Sequence, residues 1–375
     1  MRLKLVATAS FGLEAVVKRE IQSLGYEIIS TEDGHIKFWG DERAIVRGNL
    51  WLRSADRLML LMGEFDADTF EELFQQTKGI AWEELIPLDG RFTVIGTSAK
   101  SVLHSVPACQ SIVKKAIVER MKDFYGTEVF QETGAEYKVK FSLLKDHVLL
   151  MVDTSGVGLH KRGYRTSDVA APIKETLAAA MVSLSFWKEG RLLVDPCCGS
   201  GTIPIEAALI CKNIAPGLYR SFPSEEWELI DKHIWKEERI SARKAIKHEA
   251  DVRIYAADID SGAVTAAKEN ADRAGVSDCI DFKRADITSL RAGEKGGIII
   301  TNPPYGARIG DRKQIKRIYS FLKDFYRENP TWSLFMITSD RTVENKIFGR
   351  KADRRRKLFN GRMEVCYYQF HGEKL

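Results

Sequence analysis

Hydrophobic and polar positions change period several times along the chain, and each change marks an element. Leu3, Leu5 and Ala7 alternate as in a half-buried strand; Gly12 to Leu24 takes the helical period, with Val16, Val17, Ile21 and Leu24 on one face; Ile36 and Phe38 restore the strand period. Residues 1 to about 60 therefore form a small α+β unit. A second unit follows from about Asp66 to Ser155, with a helix around Phe70, Leu73 and Phe74, a strand Phe92–Ile95, a long helix from Ser105 to Phe124, and strands Tyr137–Leu144 and Val148–Asp153.

The second half of the chain has another rhythm, in which short apolar runs end in a polar residue and lead into a helix or a loop. Leu192, Leu193 and Val194 end at Asp195, and helical spacing resumes at Ile203, Ala207, Ala208 and Ile210. Arg253–Ala257 ends at Asp258, Ile280–Arg284 is followed by Asp286, and Gly297–Thr301 delivers Asn302. Strands of this kind, alternating with helices, predict an α/β doubly wound sheet. A helix from Lys313 to Tyr326, a strand Ser333–Thr338, a basic segment and a strand Met363–Phe370 complete it. Between the first helix and second strand of this half, Pro216 to Ala250 is polar, highly charged and carries Trp227 and Trp235, which predicts helices on the flank of the sheet.

Composition narrows the picture modestly. A chain of 375 residues predicts two or three domains. No apolar run reaches 18 residues and the N-terminus has no signal-peptide core, so a cytoplasmic protein with no membrane association is expected. Six cysteines without a C-x-x-C pair indicate neither a zinc site nor a disulfide framework, and no metal is expected. The net charge of +5 argues weakly for nucleic acid, but its distribution is uneven. Residues 91–145 carry 9 Lys and Arg against 5 Asp and Glu, and residues 301–375 carry 17 against 8. Phosphate contact is expected at Lys100, Lys114, Lys115, Lys138 and Lys140, and at Arg308, Arg312, Lys313 and Arg354 to Lys357.

Two segments carry the chemistry. Asp195-Pro-Cys-Cys-Gly-Ser-Gly-Thr202 joins a strand to a helix through a glycine-rich turn, the setting for a ligand at the carboxyl end of a parallel strand. The third glycine of a dinucleotide fingerprint is missing after Gly201, and Thr202 and Ile203 stand where a phosphate loop would want Lys and Ser or Thr. Asp195 would repel a pyrophosphate but suits a ligand bearing ammonium and sulfonium charges, as S-adenosyl-L-methionine does. Asp258 is placed to accept ribose hydroxyls, Asp286 an adenine amino group, and Asp260 to cap the next helix. Pro196, Gly199, Gly201, Thr202 and Ile259 complete the expected cofactor contacts.

The second segment, Thr301-Asn-Pro-Pro-Tyr-Gly306, suits an exocyclic amine. Such a nitrogen is a poor nucleophile because its lone pair is delocalised into the ring. An amide oxygen and a main-chain carbonyl that accept its two N–H bonds hold it nearer tetrahedral. Asn302 and the carbonyl of Pro303 can do so, with Pro303 and Pro304 stiffening the turn and Tyr305 offering a face for a flipped base.

The order of these motifs resembles class I S-adenosylmethionine-dependent amino methyltransferases, from about Gly163 to the C-terminus. Leu159-His-Lys-Arg-Gly-Tyr-Arg165 followed by Ala171-Pro-Ile-Lys-Glu-Thr-Leu-Ala178 looks like the entry helix of the THUMP-containing RNA methyltransferases. The resemblance implies a cofactor role for Arg165 and Lys174, a Rossmann-like, mostly parallel seven-stranded sheet, and an antiparallel last strand. It also implies a ferredoxin-like piece (1–60) and a THUMP domain (61–158) that hold structured RNA, ahead of the methyltransferase domain (159–375). The likeness is strongest to the THUMP-bearing half of bacterial 23S rRNA guanine-N2 methyltransferases, which implies 23S rRNA or a ribosomal precursor as partner. A tRNA target, an adenine-N6 methyltransferase acting on DNA or RNA, and a non-enzymatic ribosome assembly factor remain the alternatives.

Overall fold

The computed structural model describes residues 1–165, 173–304 and 312–374. Two compact units account for them, and both are discontinuous in sequence.

The first unit comprises Met1–Thr8, Lys18–Leu159 and Ser221–Ile240. Strands β1 (Leu3–Ala9), β2 (Ile28–Glu32), β3 (His35–Gly40), β4 (Ala55–Asp66), β5 (Arg91–Ala99), β6 (Glu136–Leu144) and β7 (His147–Asp153) form one sheet in the order β2-β3-β1-β4-β7-β6-β5. Helices α1 (Glu14–Ser23), α2 (Glu42–Trp51), α3 (Phe70–Lys78) and α4 (Val106–Tyr125) are interleaved with these strands. The expected boundary at residue 60 falls inside β4, which pairs antiparallel with β7 from Met59↔Asp153 to Asp66↔His147. A single sheet thus runs through both small α+β segments. In β6 the alternation is clean: Tyr137, Val139, Phe141 and Leu143 are buried, whereas Lys138 and Lys140 lie on the opposite face.

The charged insertion corrects the expectation drawn from its sequence. Its stretch Ser221–Ile240 belongs to this first unit, while its ends, Pro216–Arg220 and Ser241–Ala250, belong to the second. Trp227 is fully buried, stacks on Tyr137 at 5.0 Å between ring centroids, and donates its indole N–H to the Glu136 carbonyl at 3.1 Å. Helix α7 (Lys232–Lys244) buries Glu238, which accepts from Arg43 at 2.6 Å and Arg47 at 3.0 Å. The physical reason is pairing: a buried carboxylate is tolerable only where cations meet it, and α2 supplies two.

The second unit comprises Ala9–Val17, His160–Arg220 and Ser241–Leu375. Its strands are β8 (Leu193–Asp195), β9 (Ile254–Asp258), β10 (Ile280–Arg284), β11 (Ile298–Thr301), β12 (Ser333–Thr338), β13 (Arg354–Asn360) and β14 (Met363–Phe370). They lie in the order β10-β9-β8-β11-β12-β14-β13, the first five parallel and β14 antiparallel to both its neighbours. Helices α5 (Glu175–Ser185), α6 (Thr202–Cys211) and α8 (Ser261–Ala274) share one core cluster with Leu193, Ile298 and Ile300; α9 (Arg312–Glu328) shares the other with Val194 and Ile299. Successive strand residues therefore enter opposite cores, which is why these strands are apolar throughout. The chain reverses its winding between β8 and β11, and the switch point of such a sheet is where ligands bind.

Two further details refine the sequence expectations. Residues Arg354 to Lys357, expected as a basic, phosphate-contacting segment with no strand, begin the edge strand β13, whose charges also discourage edge-to-edge pairing. Phe11 packs edge-on against Phe359 at 5.9 Å, and Leu13 and Val16 are buried in the α5–α6–α8 core, so the entry to α1 completes the second unit.

Candidate active site

Asp195 ends β8 and is almost wholly buried. Its Oδ1 accepts from the Thr301 hydroxyl at 2.8 Å and from the Cys197 amide at 3.3 Å. Burial pushes its carboxyl up to about 7, against the pull of the Thr301 and Cys197 hydrogen bonds and with a small addition from Asp258. A buried acid with so few donors is suited to a cationic partner.

The turn that follows is built for close approach. Gly199 (φ 52) and Gly201 (φ 82) occupy left-handed backbone that other residues rarely adopt. Space around Gly199 is open, whereas a side chain at Gly201 would meet the Ala267 Cβ of α8 at 3.0 Å. The Gly199 amide donates to Asp258 Oδ2 at 2.9 Å, the Cys198 amide to the Ala257 carbonyl at 2.9 Å, and the Asn270 side chain to the Ser200 carbonyl at 3.1 Å. Pro196 is buried within the turn. Burial raises the thiols of Cys197 and Cys198, so both serve as neutral filler.

The neighbouring strand ends bring the other expected residues to the same edge. Asp258 ends β9 and also accepts the Asp260 amide at 3.0 Å, while Asp260 caps α8 through the Gly262 amide at 2.8 Å. Ile259, between Asp258 and Asp260, is a large apolar side chain 52% exposed. Asp286 follows β10, and its Oδ1 takes both the amide (2.9 Å) and the hydroxyl (2.7 Å) of Thr288; these bonds, with Arg317 at 3.3 Å, hold its carboxyl below the ordinary range. Asn302 follows β11, and its Oδ1 is buried with no hydrogen-bond partner among the described residues. Pro303 is buried and Pro304 half-buried; Tyr305 and Arg308 lie outside the described residues.

Arg165 stands beside the turn and donates to the Thr202 hydroxyl and the Ile173 carbonyl, whereas Lys174 precedes α5 as a half-buried residue. In the first unit Lys100, Lys114 and Lys115 are exposed, the last two set over the Phe92 and Phe74 rings at 6.0 and 5.7 Å. Lys138 and Lys140 are half-buried, and burial with nearby Arg57 draws the Lys140 ammonium down. Arg312 and the exposed Lys313 open α9. Thr301 and Asn270 went unassigned in the sequence: a strand threonine and a helix asparagine look ordinary until the neighbouring strand and turn are placed beside them.

A doubly wound sheet of this order, with an acid-and-glycine turn at its switch point and an Asn-Pro-Pro segment on the adjacent strand, defines a class I methyltransferase. The chain belongs to the RMKL-like methyltransferase family, whose domain matches residues 162–369. Residues 4–59 match the RlmL ferredoxin-like domain and residues 67–153 the THUMP domain. The chain is 50% identical to Bacillus subtilis YpsC, provisionally named an RNA methyltransferase, over 98% of this chain and 95% of the relative. It is 33% identical to the ribosomal RNA large subunit methyltransferase K/L of Shewanella baltica over 98% of this chain, and spans only 53% of that longer protein. The crystal structure of SMU.472, provisionally described as a methyltransferase and complexed with SAH, superposes with a TM-score of 0.94 at 42% identity, covering 100% of this chain and 99% of the other.

Proposed function

We propose that the chain transfers a methyl group from S-adenosyl-L-methionine to the exocyclic N2 amine of a guanine in 23S rRNA, in the cytoplasm. In this reading residues 1–60 and 61–158 hold the RNA, and residues 159–375 perform the transfer. The observation that carries the amine assignment is the buried Oδ1 of Asn302, without a partner among the described residues and adjoining the strand residue that binds Asp195. An orphaned buried acceptor is costly, and a substrate N–H is the partner that removes the cost.

The residues present fit the cofactor. Asp195 offers a buried carboxylate to its cationic portion, Gly199 leaves open space beside the backbone, Asp258 offers a partly exposed carboxylate for the ribose, and Ile259 supplies an apolar surface near the adenine. Asp286 is placed beyond β10 for the adenine edge. When bound, S-adenosyl-L-methionine supplies the electrophilic methyl group. The protein supplies orientation: Asn302 Oδ1 and the Pro303 carbonyl accept the two amine hydrogens, fix the nitrogen's lone pair, and share the positive charge that develops there. No tuned general base is needed, because the amine becomes acidic as it is alkylated and releases its proton to solvent. Tyr305 is assigned the stacking role from sequence.

An rRNA substrate is favoured by the likeness to the K/L enzymes, and RNA by the surplus of basic residues in 91–145 and 301–375; the choice of guanine N2 rests on the motif resemblance alone. The deciding experiment is mass spectrometry of rRNA and tRNA nucleosides from a deletion strain, with re-methylation of its 23S rRNA by the purified protein. Loss and restoration of N2-methylguanosine in 23S rRNA is expected; a change confined to tRNA or to methyladenosine would replace the substrate assignment.

A further inference from the structure

We infer that Arg165 is a positioning residue that sets the start of α6 through Thr202 and does not itself touch the cofactor, an inference that rests on the methyltransferase reading above. Arg165 Nη2 donates to the Thr202 hydroxyl at 2.6 Å and to the Ile173 carbonyl at 3.0 Å, and lies 3.6 Å from the Glu175 carboxylate. A single nitrogen thus ties together the chain before α5, the first turn of α5 and the first residue of α6. Thr202 directly follows Gly201, so any shift of Thr202 moves the glycine-rich turn between Asp195 and α6.

The surroundings are those of a buried frame and not of a ligand pocket. Arg162 lies 3.4 Å from Glu206, and the Tyr164 hydroxyl donates to the same carboxylate oxygen at 3.1 Å. The side chains of Arg162, Glu175 and Glu206 are at most 4% exposed. Burial raises the Glu175 carboxyl, opposed chiefly by Arg165, and burial also raises the Tyr164 phenol. Arg165 Nε is buried without a partner among the described residues, and Nη2 is committed to two oxygens. An arginine recruited to grip a ligand would present its planar fork to it. Here Nη2 is spent on Ile173, Thr202 and Glu175, and two arginines meet two glutamates, Arg165 with Glu175 and Arg162 with Glu206.

Calorimetric titration of the full chain with S-adenosyl-L-homocysteine, beside thermal midpoints, tests this. Arg165→Met and Thr202→Val are each expected to weaken binding about tenfold, the worth of one charge-assisted hydrogen bond. The double variant is expected to be no weaker than Arg165→Met alone, because that change already removes the link to Thr202. Thr202→Ser, which keeps the acceptor, is expected to bind more tightly than Thr202→Val. Additive losses in the double variant would mean that Arg165 contacts the cofactor independently and would overturn the inference. So would wild-type affinity in Arg165→Met. Should Arg165→Met fold poorly, Thr202→Val against Thr202→Ser carries the test, and equal affinity of those two overturns it. If the wild-type chain itself binds no homocysteine product, the methyltransferase reading fails instead, which is a distinguishable result.

Discussion

The Thr301 hydroxyl donates to Asp195 Oδ1 at 2.8 Å, joining the carboxyl ends of β8 and β11 at the point where the sheet reverses its winding. Both residues are buried, so this bond is the main polar support for an acid that burial pushes to about 7. Its removal in Thr301→Val should raise the Asp195 carboxyl further. Affinity for S-adenosyl-L-methionine should rise with pH through about 7 in the wild type and at a distinctly higher pH in the variant. Calorimetry between pH 6 and 8.5 measures this, and coincident pH profiles would remove Asp195 from the cofactor's cationic portion.

The same carboxyl has a stability consequence. Its folded pKa of about 7 exceeds its ordinary 3.8, so the folded state holds the proton more tightly. The contribution is fully present below pH 3.8 and is lost as pH rises to about 7. Asp195→Asn should therefore stabilise the ligand-free protein at pH 8 by a few kcal/mol at most, on the order of 1.4 kcal/mol for each tenfold change in proton affinity, and by little at pH 4. Urea unfolding at the two pH values decides it; an equal effect at both would mean that the folded carboxyl keeps its ordinary hold on the proton.

Asn302→Ala should leave cofactor affinity within about threefold while turnover falls roughly 10²–10³-fold, the scale of losing one preorganised polar contact to a reacting group. Because Asn302 Oδ1 has no partner among the described residues, the variant should be no less stable than the wild type. Turnover near the wild-type rate would refute the clamp.

Trp227→Ala should destabilise the protein by about 3–5 kcal/mol, since it empties a buried site, removes a stacked ring and strands the Glu136 carbonyl. Chemical denaturation followed by circular dichroism measures the loss. A change below about 1 kcal/mol would mean that the insertion is only loosely held in the first unit.

If the first unit holds RNA phosphates, the exposed pair Lys114 and Lys115 should contribute mainly non-specific charge. Reversing both to Glu should weaken RNA binding at low salt and reduce the slope of log affinity against log salt by roughly 1–2. An unchanged slope would place the RNA elsewhere.

Much of the second unit was legible because its chemistry is local. Each strand ends at a polar residue within one or two positions of an apolar run, so Asp195, Asp258, Asp286 and Asn302 could be placed from spacing alone. The period-2 and period-3.6 patterns located β1, α1, β5, α4, β6 and β7 for the same reason, since local burial alternates with local geometry. The β13 strand escaped notice because edge position lets a strand be charged on most of its residues.

From the sequence came β1, α1, β5, α4, β6, β7 and the strand ends of the second unit, with the acid-and-glycine turn and the Asn-Pro-Pro segment, because these depend on neighbours a few residues apart; β2, α2, β4 and β13 did not. Only the tertiary structure decided that Thr301 supports Asp195, that Asn302 keeps an orphaned acceptor, that Arg165 is bound to Thr202, and that Trp227 serves the first unit. Those relationships join residues that are 37 to 106 positions apart where a hydrogen bond records them. Pairing and burial between such distant positions depend on strand order and crossover, which no local pattern of polarity contains.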